Sequence, residues 1–143
     1  MVTPLRYLLL LLATPVLLGT LPQQEVGTVR VVLTGMENDD GAVRIALFDS
    51  EATFTNTAVR ATVLPVVDGR AVWVLDSLAV GDYAVAAFHD ENDDGTMDQG
   101  LFGIPSEAYG FSNGARGRFG PPTWEDARFE FDGTTRAVEV PIR

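Results

Sequence analysis

The sequence predicts an all-β fold: seven short strands packed as a two-sheet sandwich, with one long ordered loop excursion after the fifth strand. Three observations predict it. Runs of β-branched and aromatic residues alternate with polar ones at a period of two. Asp-Gly pairs punctuate them at Asp40-Gly41, Asp68-Gly69 and Asp132-Gly133. No stretch carries a long helical period.

Residues 1–23 read as an export signal, and 24–143 as a single domain. Arg6 supplies the positive start, and Tyr7 to Leu18 gives an apolar run of 12 residues. A spanning helix needs about 20 apolar residues, so the run is short for an anchor. Gly19 and Thr20 are small residues before a cut near Pro22–Gln24, although no Ala-x-Ala site is present. An uncleaved anchor is the alternative. The expected location is the periplasm, the cell envelope or the medium.

The strands follow in order. Val26–Thr34 alternates, with Val29, Val31 and Leu33 on one face and Arg30 and Val32 on the other. The ENDDG stretch at Glu37–Gly41 is a turn into Ala42–Asp49, where Val43, Ile45 and Leu47 alternate against Arg44 and Ala46. Ser50–Thr57 is a polar connection. Val59–Val67 is the third strand, and Asp68-Gly69 is a tight hairpin turn into the fourth, Arg70–Leu75. After the link Asp76–Val80, Gly81–His89 is apolar on both faces, which marks a central strand. Tyr83, two residues after Gly81, fits a tyrosine corner, its hydroxyl bonded back to a nearby carbonyl as in immunoglobulin-like sandwiches. Trp124–Phe131 and Ala137–Ile142 complete the set; a helical turn near Pro122–Ala127 is the alternative for the first part.

The excursion Asp90–Thr123 is too long for a passive connection. It holds Phe102, Ile104, Tyr109, Phe111 and Phe119, enough apolar surface to predict packing across one end of the sandwich.

Composition excludes several functions. With no cysteine there is no disulfide, thiolate nucleophile or zinc-thiolate site. There are 20 acidic residues against 10 basic ones, all of the latter arginine. That balance argues against nucleic acid and against an anionic membrane surface.

The chemically distinctive stretch is HDENDDGTMD, residues 89–98. Asp90, Asn92, Asp94, Gly95, Thr96 and Asp98 reproduce the first part of a calcium loop. Alternate residues offer inward oxygens, a glycine allows the sharp turn, the next residue offers its carbonyl, and the ninth adds an oxygen. Leu101 stands where the closing bidentate glutamate belongs, so an EF-hand is not predicted. Glu107 or Asn113, in the same excursion, are the residues that could close the shell. The other reading is a solvated acidic turn without metal. Catalysis is poorly supported: His89 is the only histidine, no serine sits in a nucleophile elbow, and carboxylate pairs are expected by chance in so acidic a chain. His89, Tyr109, Phe111, Asn113 and Trp124 are candidates for ligand contact, with core packing as the rival role for the aromatics.

The runs LAVGDYAVAAFHDENDDGTMD, GIPSEAYGFSN and GPPTWEDARFEF resemble the bacterial family called domain of unknown function 2141, over Val26 to Arg143. The resemblance implies an exported, single-domain protein of cell-envelope type and assigns no activity. The Gly81-Asp82-Tyr83 turn also looks like that of prealbumin-like sandwiches. The expectation is a non-catalytic envelope module that binds a ligand or protein partner, with calcium ordering the acidic loop. A purely structural module and a hydrolase using loop carboxylates are the alternatives.

Overall fold

A computed structural model describes residues 23–143. The expected export segment lies outside these residues apart from Gln23. Among the described residues there are eight strands, one more than the seven expected because Tyr109–Phe111 within the excursion forms one: β1 (Val26–Thr34), β2 (Ala42–Phe48), β3 (Arg60–Leu64), β4 (Arg70–Ala79), β5 (Gly81–Asp90), β6 (Tyr109–Phe111), β7 (Phe129–Phe131) and β8 (Arg136–Pro141). One sheet has the order β4-β1-β8, with β1 antiparallel to β4 and parallel to β8. The other runs β3-β2-β5-β6, and β7 pairs with the first residues of β5.

The period-two alternation places the core between the sheets. Val29, Val31 and Leu33 of β1 and Val138 and Val140 of β8 meet Val43 and Leu47 of β2, Val85 of β5 and Phe131 of β7. The Tyr83 hydroxyl donates to Ala79 O at 3.0 Å, the expected corner, and burial raises its pKa. Tyr109 and Arg143 exchange backbone hydrogen bonds of 3.3 and 3.2 Å, joining β6 to the end of the chain beyond β8.

Several expectations need correction. The strand expected from Trp124 begins instead as a single helical turn, α1 (Trp124–Ala127), because the Thr123 hydroxyl accepts from Asp126 N and caps it. The Asp68-Gly69 turn is tight, with both residues at positive φ, yet β3 and β4 diverge from it into different sheets. Asp39 of the preceding turn holds it: its two carboxylate oxygens accept from Asp68 N at 2.9 Å and Gly69 N at 2.8 Å, which lowers its pKa. The excursion is packed only in part. Tyr109 and Phe111 join the body, whereas Phe102 and Phe119 are fully exposed and Leu101 and Ile104 largely so. Residues 99–105 form their own small closed loop, with a Gln99–Pro105 bridge and a Gly100 N to Ile104 O bond of 2.8 Å, and it stands off the sheets.

The double-sided apolar character of β5 has a specific cause. Its outer face carries Ala84 and Ala86, and a second core forms there from Phe48, Phe54, Phe111, Trp124 and Ala127. Phe54 lies edge-on to Phe48 and Trp124 at ring distances of 5.5 and 5.7 Å. This second core covers only one end of the outer face.

Candidate functional site

The uncovered end of that face is an apolar trough of about 520 Å³, within the size range of small-molecule sites. Strand register defines its floor. Arg44 stands between Val63 of β3 and Phe88 of β5, and Phe88 pairs with Tyr109 of β6. The next row on this face is Ala61, Ala46, Ala86 and Phe111. Small alanines in the middle and larger side chains around them make the concavity. Phe48 of the second core and Thr55, next in sequence to Phe54 of that core, line it, as do Met97 of the acidic loop and Pro121.

The acidic loop is organised around Asp90, which is fully buried. A buried carboxylate needs a counter-charge and hydrogen-bond donors. Arg44 Nε donates to Asp90 Oδ2 and Arg44 Nη2 lies 3.2 Å from Asp93 Oδ1. Gly95 N donates to Asp90 Oδ2 at 2.9 Å and Asp94 N to Oδ1 at 3.1 Å. The guanidinium foremost, and then these two amides, hold the Asp90 carboxyl below the usual carboxylate range.

The remaining loop residues follow the same pattern. Asn92 Oδ1 accepts from Asp94 N at 3.1 Å, and Asn92 Nδ2 donates to Asp98 Oδ2 at 3.0 Å. Asp94 Oδ1 accepts from both Thr96 N and Thr96 Oγ1 at 2.8 Å, which lowers the Asp94 pKa. Glu107 folds back onto the loop: Oε1 accepts from Glu91 N at 3.1 Å and Oε2 from Asp98 N at 3.0 Å. Of the two residues proposed to close the shell, Glu107 reaches the loop. Asn113 instead donates to Asp126 O and Arg128 O and secures α1.

The loop carboxylates therefore accept from backbone amides, from the Asn92 and Thr96 side chains and from one guanidinium. Among the described residues, no three His, Asp or Glu side chains are arranged to hold a metal ion.

His89 is fully buried on the inner face of β5. Its Nε2 lies 2.7 Å from Asp40 O and is assigned as the donor there. Its Nδ1 has no hydrogen-bond partner and lies 3.7 Å from Glu91 Oε1. Trp124 is buried in the second core, while Phe111 belongs both to that core and to the trough wall, and Tyr109 lines the trough.

Sequence reasoning missed Arg44, Ala46 and Ala86. The available signals were a lone arginine within an apolar strand and the small outward residues of β5. Neither is interpretable without the register that sets them beside Phe88 and Asp90.

These features define a class: a small sandwich-like all-β module with an acidic loop anchored by one arginine and an open apolar trough. The chain belongs to the family described as uncharacterized protein conserved in bacteria (DUF2141), whose sequence model matches residues 31–139. Comparison with curated proteins and with solved structures returned no match.

Proposed function

We propose that the protein is a non-catalytic, exported sandwich of the immunoglobulin-like or prealbumin-like kind that holds an apolar ligand in the trough on the outer face of the β3-β2-β5-β6 sheet. The observation that carries this reading is the trough: an apolar floor of alanines, walled by aromatic side chains, left open where the rest of the face is covered. Apolar surface of this kind gains free energy when covered by another apolar group, at about 25 cal/mol per Å². The Tyr83 corner supports the sandwich class, and the leucine-rich start of the chain supports export. His89 is fully buried, which argues against it as a general base.

In this reading the acidic loop is the rigid flank of the trough, with Arg44 as its permanent cation. One observation keeps calcium as a second reading: Glu107, supplied from outside the loop, closes on it where the loop's own closing ligand is missing. A calcium titration separates the two.

The trough itself is tested with an uncharged fluorescent hydrocarbon probe, phenylnaphthylamine. The wild type is expected to bind it saturably, and Ala86→Trp, which fills the floor, to abolish binding while leaving the circular dichroism unchanged. Equal binding by the folded variant would refute the trough as the site.

A further inference from the structure

We infer that the ligand is an anionic single-chain amphiphile, a free long-chain fatty acid, with its carboxylate at Arg116 and Arg118 and its hydrocarbon tail laid across the strands toward β3. The inference rests on the proposed trough and adds the class and orientation of its occupant.

The register gives the trough a direction. Its rows run from Val63 and Ala61 at the β3 edge to Tyr109 and Phe111 at β6, three inter-strand spacings or roughly 14 Å. That is close to the reach of an extended dodecyl chain. The floor between these ends offers no convergent set of polar side chains. Arg44, the one cation lining it, is already held by Asp90 and Asp93. A tail without polar atoms suits this path, since it leaves no donor or acceptor unpaired.

The β6 end is different. The Arg116 guanidinium lies 4.9 Å from the centre of the Tyr109 ring, the residue that ends the row. The Gly114–Gly120 segment carries Arg116 and Arg118 and no acidic residue, in a chain of formal net charge -10. Among the described residues neither arginine has an Asp or Glu side chain within ion-pair distance; Arg116 Nη2 makes one long bond of 3.4 Å, to Arg143 O. Pro121, next along this segment, lines the trough. Two guanidinium groups without an acidic side-chain partner, at one end of an apolar path, complement a carboxylate attached to a hydrocarbon chain. The acidic loop along the trough's flank disfavours an anionic head anywhere else.

The test uses three probes of equal chain length, each below its micellar concentration: dodecanoate, dodecyl maltoside and dodecyltrimethylammonium. Binding is read by calorimetry and by tryptophan fluorescence, since Trp124 packs in the core that walls the trough. Dodecanoate is expected to bind about tenfold or more tighter than the cationic amphiphile, the effect of one lost charge-assisted contact. Arg116→Gln with Arg118→Gln should lower dodecanoate affinity by a similar factor and leave the maltoside unchanged. Equal affinity for all three heads overturns the inference and leaves the trough reading standing. If none binds and phenylnaphthylamine also fails, the trough reading itself falls. Sedimentation with anionic vesicles, without binding of free dodecanoate, would make a membrane surface the partner and overturn the inference as well.

Discussion

Ser112→Ala is the substitution with the most calculable consequence. On the side away from β2, β5 pairs with β7 through Gly81–Tyr83 and with β6 through Ala86–Phe88. Val85 falls in the break between them. The Ser112 hydroxyl, fully buried, fills it: Oγ accepts from Val85 N at 2.9 Å and donates to Ala127 O at 2.5 Å. Alanine fits the space but leaves a buried N–H and a buried carbonyl unpaired, since Val85 and Ala127 are both fully buried. Each orphaned group costs about 1–3 kcal/mol, so a loss of about 2–6 kcal/mol is expected. At about 4 °C per kcal/mol for a domain of this size, Tm should fall by roughly 8–24 °C. Urea unfolding followed by tryptophan fluorescence measures the free energy, and hydrogen exchange should show selective loss of protection at the Val85 amide. A loss below about 1 kcal/mol with Val85 still protected would show that the hydroxyl does not carry the junction.

Other perturbations give sharper signs than sizes. The folded Asp90 carboxyl titrates below its ordinary range, so the unfolded chain takes up the proton first; stability from this group is full above about pH 4 and lost as pH falls through the folded value. Asp90→Asn should flatten that part of the acid-unfolding curve, and an unchanged curve would remove Asp90 from the account. With Arg44 as the loop's cation, millimolar calcium or chelator should leave the wild-type Tm in place, whereas a rise of several degrees on adding calcium would favour the metal reading. Phe102→Ser and Phe119→Ser should each change stability by no more than about 0.5 kcal/mol, because both rings are fully exposed. A larger loss in urea titration would mean that these rings are covered in solution.

Legibility in the sequence tracked the range of the interactions involved. The strands of the first half follow from alternation, a nearest-neighbour property, and Tyr83 follows from its position beside a turn. The Asp68-Gly69 turn was readable, but not the divergence of its strands, because that depends on which sheet buries each apolar face. Residues 124–127 carry both a strand-like aromatic pattern and a capping threonine, and the cap prevails over so short a span. Residue type alone predicts burial of Phe102, whereas residues 99–105 close on themselves through the Gln99–Pro105 bridge and leave its ring exposed. At the acidic loop the carboxylates are legible and the distant donor is not: Glu107 is nine residues from Asp98, but Arg44 lies 46 residues before Asp90 and meets it only through the β2–β5 register.

That same register ties the two halves of the site together. Arg44 projects from the outer face of β2, so its apolar stem lines the trough while its guanidinium neutralises Asp90. An apolar residue here would extend the trough but leave a buried carboxylate without its cation. A carboxylate here would add to the five already present in residues 90–98. Only a long cationic side chain satisfies both surfaces, and arginine does so with a fork that reaches Asp90 and Asp93 together. Arg44→Met therefore separates the roles. It preserves most of the apolar stem, so phenylnaphthylamine binding should survive at low pH, where Asp90 is protonated. At neutral pH the unpaired carboxylate should loosen the flank that carries Met97, and probe binding should weaken. Binding that is independent of pH in this variant would mean that the loop and the trough are neighbours without being coupled.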